Sequence, residues 1–198
     1  ALQTVGLSEQ NMQVINLDWN AGKAALAANR IDAVWGGMSL LALRGDKINI
    51  VAKSSDSGRR NTTQAGFFAT QEFINRWPQA TQQIVNILVR NAAEISDTKS
   101  RQSWSAEMAQ QSQIPQTLFL EQLPPDQLNF MTSPRFDAFL SGSLGSSISQ
   151  AKNEGLIRSV FDASQWGDDH FVVQALKADH LTEHWPLYNT EGQAVVKD

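Results

Sequence analysis

Between Gln13 and Thr70, short β-prone runs alternate with helix-forming ones, and this constrains the fold more than any other feature of the chain. Gln13–Leu17 alternates apolar and polar residues and predicts a strand. Asp18 or Asn20 then caps a helix over Ala21–Asn29, a run of strong helix formers. Ile31–Trp35 predicts a second strand, Met38–Arg44 a helix ending before Gly45, and Ile48–Ala52 a third strand. Ser54–Gly58 is a polar loop, and Gln64–Thr70 a fourth strand holding Phe67 and Phe68. Strands alternating with helices predict an α/β fold.

Beyond Thr70 the pattern turns helical. Glu72–Arg76 is a short helix stopped at Trp77-Pro78, and Pro78 suits the first position of the next one. Across Gln79–Ser96, Ile84, Val85, Ile87, Leu88 and Ala92 recur at helical spacing. Further helices are expected over Ser100–Gln111, after Pro115, and over Asp168–Leu181. Pro124-Pro125 breaks the chain, and Pro186–Asp198 is a tail. Phe136, Phe139, Leu140, Leu144, Ile148 and Ala151 form one stripe ending at Gly155. At the start, Ala1–Val5 reads as a helix end running into Gly6, so the chain is expected to be a fragment or a processed product.

Composition excludes several classes. With 16 Lys+Arg against 20 Asp+Glu among 198 residues, no basic face is expected for nucleic acid or an anionic membrane. The absence of cysteine removes disulfides, thiol nucleophiles and cysteine-based zinc sites. The apolar runs are too short to span a bilayer, and a charged fraction of only 18% does not suit a disordered acidic tail. The six tryptophans are scattered rather than spaced for base stacking, and most are expected in the core or at a lobe interface.

Candidate chemistry is sparse. His180-Leu181-Thr182-Glu183-His184 matches H-x-x-E-H, which on a helix puts two imidazoles on one side for zinc. Pro186 follows at once, and only Glu191 and Asp198 lie downstream as carboxylate ligands, so a zinc hydrolase is the weaker reading. Asp168, Asp169 and His170 read better as the acidic start of a helix than as a metal site. Ser96-Asp97-Thr98-Lys99 fits S-x-x-K without its companion motifs, and Ser141–Gly145 reads as a small-residue helix face that permits close packing. No cofactor is implied.

Three quoted stretches occur in a known order. "VINLDWNAGKAALAANRIDAVW" (Val14–Trp35) resembles the core of periplasmic solute-binding proteins of ABC importers, in the nitrate, taurine and aliphatic-sulfonate binding family. Asn29-Arg30-Ile31-Asp32-Ala33 stands where that family has G-x-(I/V)-D-A, with Asn29 in place of the glycine. "GFFATQEFINRWPQATQQIVNIL" (Gly66–Leu88) resembles the family's return strand and long helix. "RFDAFLSGSLGSSISQAKNEGLIRSVFDASQW" (Arg135–Trp166) resembles its penultimate helix and G-L-I exit.

The resemblance implies a periplasmic-binding-protein-like (type II) two-lobed fold, incomplete at the N-terminus. Residues 1–63 would be the remainder of the second lobe, and 64–198 the return strand with helices packing on the first. It implies a non-enzymatic periplasmic protein that captures a small anionic solute (a sulfonate, taurine or nitrate) and delivers it to an inner-membrane ABC permease. Apolar faces left open by an absent N-terminal third would be covered by that segment or by a second copy. Relatives that are enzymes, such as those making a thiamine pyrimidine precursor, need a Cys, or a His and Lys, in the cleft. No His lies near Trp35 in sequence.

Ligands of open sheets bind beyond the strand ends. Trp35, Gly36, Gly37, Met38 and Ser39 are therefore the expected binding turn, where glycines allow close approach and helix amides attract an anion. The plain alternative is a glycine turn with Trp35 in the core. Asn61 and Gln64, in the Arg59–Gln64 crossover, are expected to hydrogen-bond a ligand, the alternative being a solvated basic loop. Asn61-Thr62-Thr63 is also a glycosylation sequon.

Overall fold

The computed structural model describes residues 6–43, 48–53 and 66–196. The chain divides into two compact units, Ala1–Ile50 and Val51–Asp198.

The first unit holds a 3-10 turn at Glu9–Asn11 and two helices, α1 (Trp19–Ala27) and α2 (Met38–Leu41). The cap of α1 is Asp18, whose Oδ1 accepts the backbone N–H groups of Asn20 and Ala21, both at 2.9 Å. At the other end, the Arg30 N–H reaches the Ala25 carbonyl oxygen at 2.9 Å and that of Asn29 reaches Leu26 at 3.0 Å. Asn29 sits between them at φ +54. This is a left-handed helix stop, and asparagine tolerates it better than any side chain except glycine's hydrogen. The glycine usual at Asn29 in the resembled family is thus replaced by the next best residue. The buried residue of α1 is Gly22, where a Cβ would lie 3.2 Å from Val34 Cγ2.

The second unit is a helical assembly: α3 (Gln71–Arg76), α4 (Pro78–Ser96), α5 (Arg101–Ser112), α6 (Gln116–Gln122), α7 (Leu128–Thr132), α8 (Ala138–Asn153), α9 (Ala163–Trp166) and α10 (His170–Ala178). Its core lies between α4 and α10, with Val85 and Val89 packing on Phe171, Ala175, Leu176 and Trp185. Burial of each large apolar side chain stabilises by about 1.5–3 kcal/mol. The buried face of α4 runs Thr81, Val85, Val89, Ser96, whereas Ile87 and Leu88 are exposed. Thr81 and Ser96 can be interior because each hydroxyl donates to a backbone oxygen, of Trp77 at 3.0 Å and of Ala93 at 2.8 Å. A second cluster joins Phe130, Phe139 and Tyr188, with ring centroids 5.0 Å from Phe130 to each of the other two.

Arginine side chains tie the peripheral helices. Arg101 of α5 donates to the carbonyl oxygens of Leu123, at 3.0 Å, and Leu120, closing the end of α6. Arg135 donates likewise to Trp185, at 3.1 Å, and Thr182. Asp137 caps α8 through the Leu140 N–H at 3.1 Å and also accepts the Tyr188 N–H at 2.9 Å. The far end of α8 closes as the Gly155 signal predicts: Gly155 has φ +73, and the Leu156 N–H bonds the Ala151 carbonyl oxygen at 2.8 Å.

The α/β expectation is overturned. Among the described residues no strand forms, and the bridge between Tyr188 and Ala194 is an isolated pair. Residues 13–18, 33–37 and 66–70 have no helical or strand assignment, and Val14, Ile15, Phe67 and Phe68 are exposed. Strand propensity records how well a side chain packs on a pleated, half-buried surface. Without a neighbouring strand it builds no sheet. Of the six tryptophans, Trp185 is buried and Trp104 half-buried, whereas Trp19, Trp35, Trp77 and Trp166 are exposed and do not lie in the core.

Candidate ligand-binding turn

The turn at Trp35–Ser39 brings a leucine side chain close over its first glycine. Leu40 of α2 folds back over Gly36, and a Cβ there would sit 1.7 Å from Leu40 Cδ1 and 2.8 Å from Cγ. A side chain at Gly36 would therefore displace Leu40 from its place over the turn. Gly37 is extended (φ −110, ψ −155), and its nearest neighbour in space is Trp19, at 3.9 Å from a Cβ position. Trp35 is 76% exposed, which excludes the reading that puts it in the core. Two exposed indoles, Trp19 and Trp35, thus flank a glycine pair.

Met38 and Ser39 head α2, and the first amides of a helix have no intrahelical partner. The helix is only four residues long, shorter than the Met38–Arg44 expected, and Arg44 lies outside the described residues. The pull on an anion then comes from the individual N–H groups, since so short a helix sums few peptide dipoles. The positions Asn61 and Gln64, with the rest of Arg59–Gln64 and its sequon, also lie outside the described residues.

The zinc reading loses its geometry. Helix α10 ends at Ala178, and His180 takes φ +57, so the two histidines are not presented by successive turns of a helix. His184 Nε2 lies 2.6 Å from Ser96 Oγ, and its ring packs edge-on against Trp185 at 4.4 Å. The Ser96 hydroxyl also lies 2.8 Å from the Ala93 carbonyl oxygen, so it bridges the end of α4 and the imidazole. Ser96 is therefore a buried helix-end residue, and among the described residues no cluster of three metal-ligating side chains occurs.

Asp168 and His170 form a local pair at the start of α10, as the helix-start reading expects. Asp168 Oδ1 accepts the His170 N–H at 3.1 Å and contacts Nδ1 at 2.5 Å. Burial raises the Asp168 carboxyl, but the His170 bonds and charge together outweigh it and hold the group below the usual carboxylate range.

No family model matches the chain, and no curated protein matches it in sequence. In structure it is similar to a protein named as a sulfonate ABC transporter periplasmic sulfonate-binding protein, SsuA, from Methylobacillus flagellatus KT. The TM-score is 0.71 and the identity 21%, over 95% of this chain and 58% of that one. The likeness is one of fold, and this chain spans about 58% of that protein's length.

Proposed function

We propose that the chain belongs to the solute-capturing component of an ABC import system. It would work outside the inner membrane, bind a small anion and pass it to a membrane permease without chemistry on the ligand. The carrying observation is the backbone likeness to a named sulfonate-binding protein over 95% of this chain. The turn adds chemical support. The Met38 and Ser39 amides are suited to a sulfonate or nitrate oxygen, and Trp35 offers a face for an alkyl substituent. Hinge closure that shields the ligand from water completes the proposed mode of capture. No helix among the described residues is long and apolar enough to cross a membrane.

Isothermal titration with ethanesulfonate, taurine and nitrate tests the proposal. Saturable heat with at least one of these anions is expected. Saturable binding of none of them, with the protein folded by circular dichroism, contradicts it.

A further inference from the structure

Within the second unit, an open groove of about 630 Å³ runs between α3, the start of α4 and the start of α10. That is a volume proper to a small-molecule site. Its wall is built from carboxamides: Gln71 and Asn75 on α3, Gln79 and Gln82 on α4, and Gln174 on α10. Gln71 Nε2 donates to Asn75 Oδ1 at 2.9 Å, one helical turn away. Each side chain keeps further capacity, an acceptor on Gln71 and donors on Asn75.

Gln82 is held more tightly. Its Nε2 donates to Asn86 Oδ1 at 2.8 Å and to the Phe171 carbonyl oxygen at 2.9 Å. Its Oε1 is buried and has no hydrogen-bond partner. A buried acceptor without a donor is costly.

The charge pattern narrows the ligand. Among the described residues the wall has no lysine or arginine, so none of them offers an anion such an ion-pair partner there. Its ionisable groups, Asp168 and His170, already engage each other. Ile74, Pro78 and Phe171 supply an apolar floor, with the His170 ring laid over Phe171 at 3.8 Å. Carboxamides donate and accept together, as a hydroxyl does, and an apolar floor suits the C–H face of a ring. We infer that this groove binds a neutral, hydroxyl-rich small molecule of the size of a monosaccharide. The site is distinct in residues and in ligand class from the turn proposed for the anion.

The test is titration of the whole chain with glucose, read on the side-chain amide and imidazole NMR signals. Saturable shifts at Gln79, Gln174 and His170 are expected. The exposed double variant Gln79→Ala/Gln174→Ala, which leaves the core untouched, should weaken binding about tenfold or more. Non-saturating shifts overturn the inference, as does an unchanged affinity in the double variant. A response of the same signals to ethanesulfonate but not to glucose also overturns it. Loss of anion binding at Trp35 bears on the transport proposal and leaves this result unaffected.

Discussion

Asn29 holds a backbone conformation that costs most L-residues about 1–2 kcal/mol. Asn29→Ala should therefore lower stability by roughly 1 kcal/mol, while Asn29→Gly should be neutral or slightly stabilising. Urea unfolding of the three proteins checks this, and equal midpoints for wild type and Asn29→Ala would speak against it. Ser96 makes a second single-residue case. Its hydroxyl joins the end of α4 to His184, so Ser96→Ala leaves the imidazole Nε2 without this partner. A loss of about 1–3 kcal/mol is expected in the same assay; no loss would mean that water replaces the serine. Single residues with one steric or capping job were legible in advance: Asp18 as a cap, Pro78 as a helix start, Gly155 as a stop. The role of Ser96 was not, because its partner is far along the chain and S-x-x-K spacing says nothing about it.

Helices are joined here by side chains reaching across long sequence separations. Arg90 of α4 grips Asp179, just beyond α10, through two bonds of 2.9 Å. The Arg90 hydrogen bond holds the Asp179 carboxyl below the usual range; burial opposes it, and the Arg90 charge assists. Asp162 is lowered by the Ser164 hydroxyl and N–H. A carboxyl whose folded pKa lies below its unfolded value stabilises the fold above the unfolded value, about 3.9. That contribution is lost as pH falls through the folded pKa. Stability should therefore decline on acidification below about pH 4, and the decline should be shallower in Asp179→Asn. Urea midpoints across that range decide it, and parallel curves for the two proteins would remove Asp179 from the explanation. Element type was legible where periodicity was long, as in α4 and α8. The buried face of α4 was less so, since apolar spacing admitted Ile87 and Leu88, which the α10 contact leaves outside. The H-x-x-E-H match failed for a related reason: it assumes a helix that has already ended at Ala178.

At the scale of the molecule, three weakly specific segments in order suggested a backbone of the binding-protein kind, and the fold likeness, with a TM-score of 0.71, is to a protein so named. The α/β expectation failed at this scale, because β-prone segments become strands only beside other strands. The described residues leave Val14, Trp35, Phe67 and Phe68 exposed rather than paired into a sheet. The turn at Gly36-Gly37 was anticipated from its glycines, but the close fit of Leu40 over Gly36 and the approach of Trp19 are properties of the folded chain. The central claim, that the Trp35–Ser39 turn captures an anionic solute, is tested most directly by titrating ethanesulfonate into wild type and Trp35→Ala. Trp35 is exposed, so the variant should unfold at the same urea concentration as wild type. The account predicts saturable binding by wild type that weakens about tenfold or more in Trp35→Ala. Equal affinity in the two proteins would contradict it and place any bound anion elsewhere on the chain.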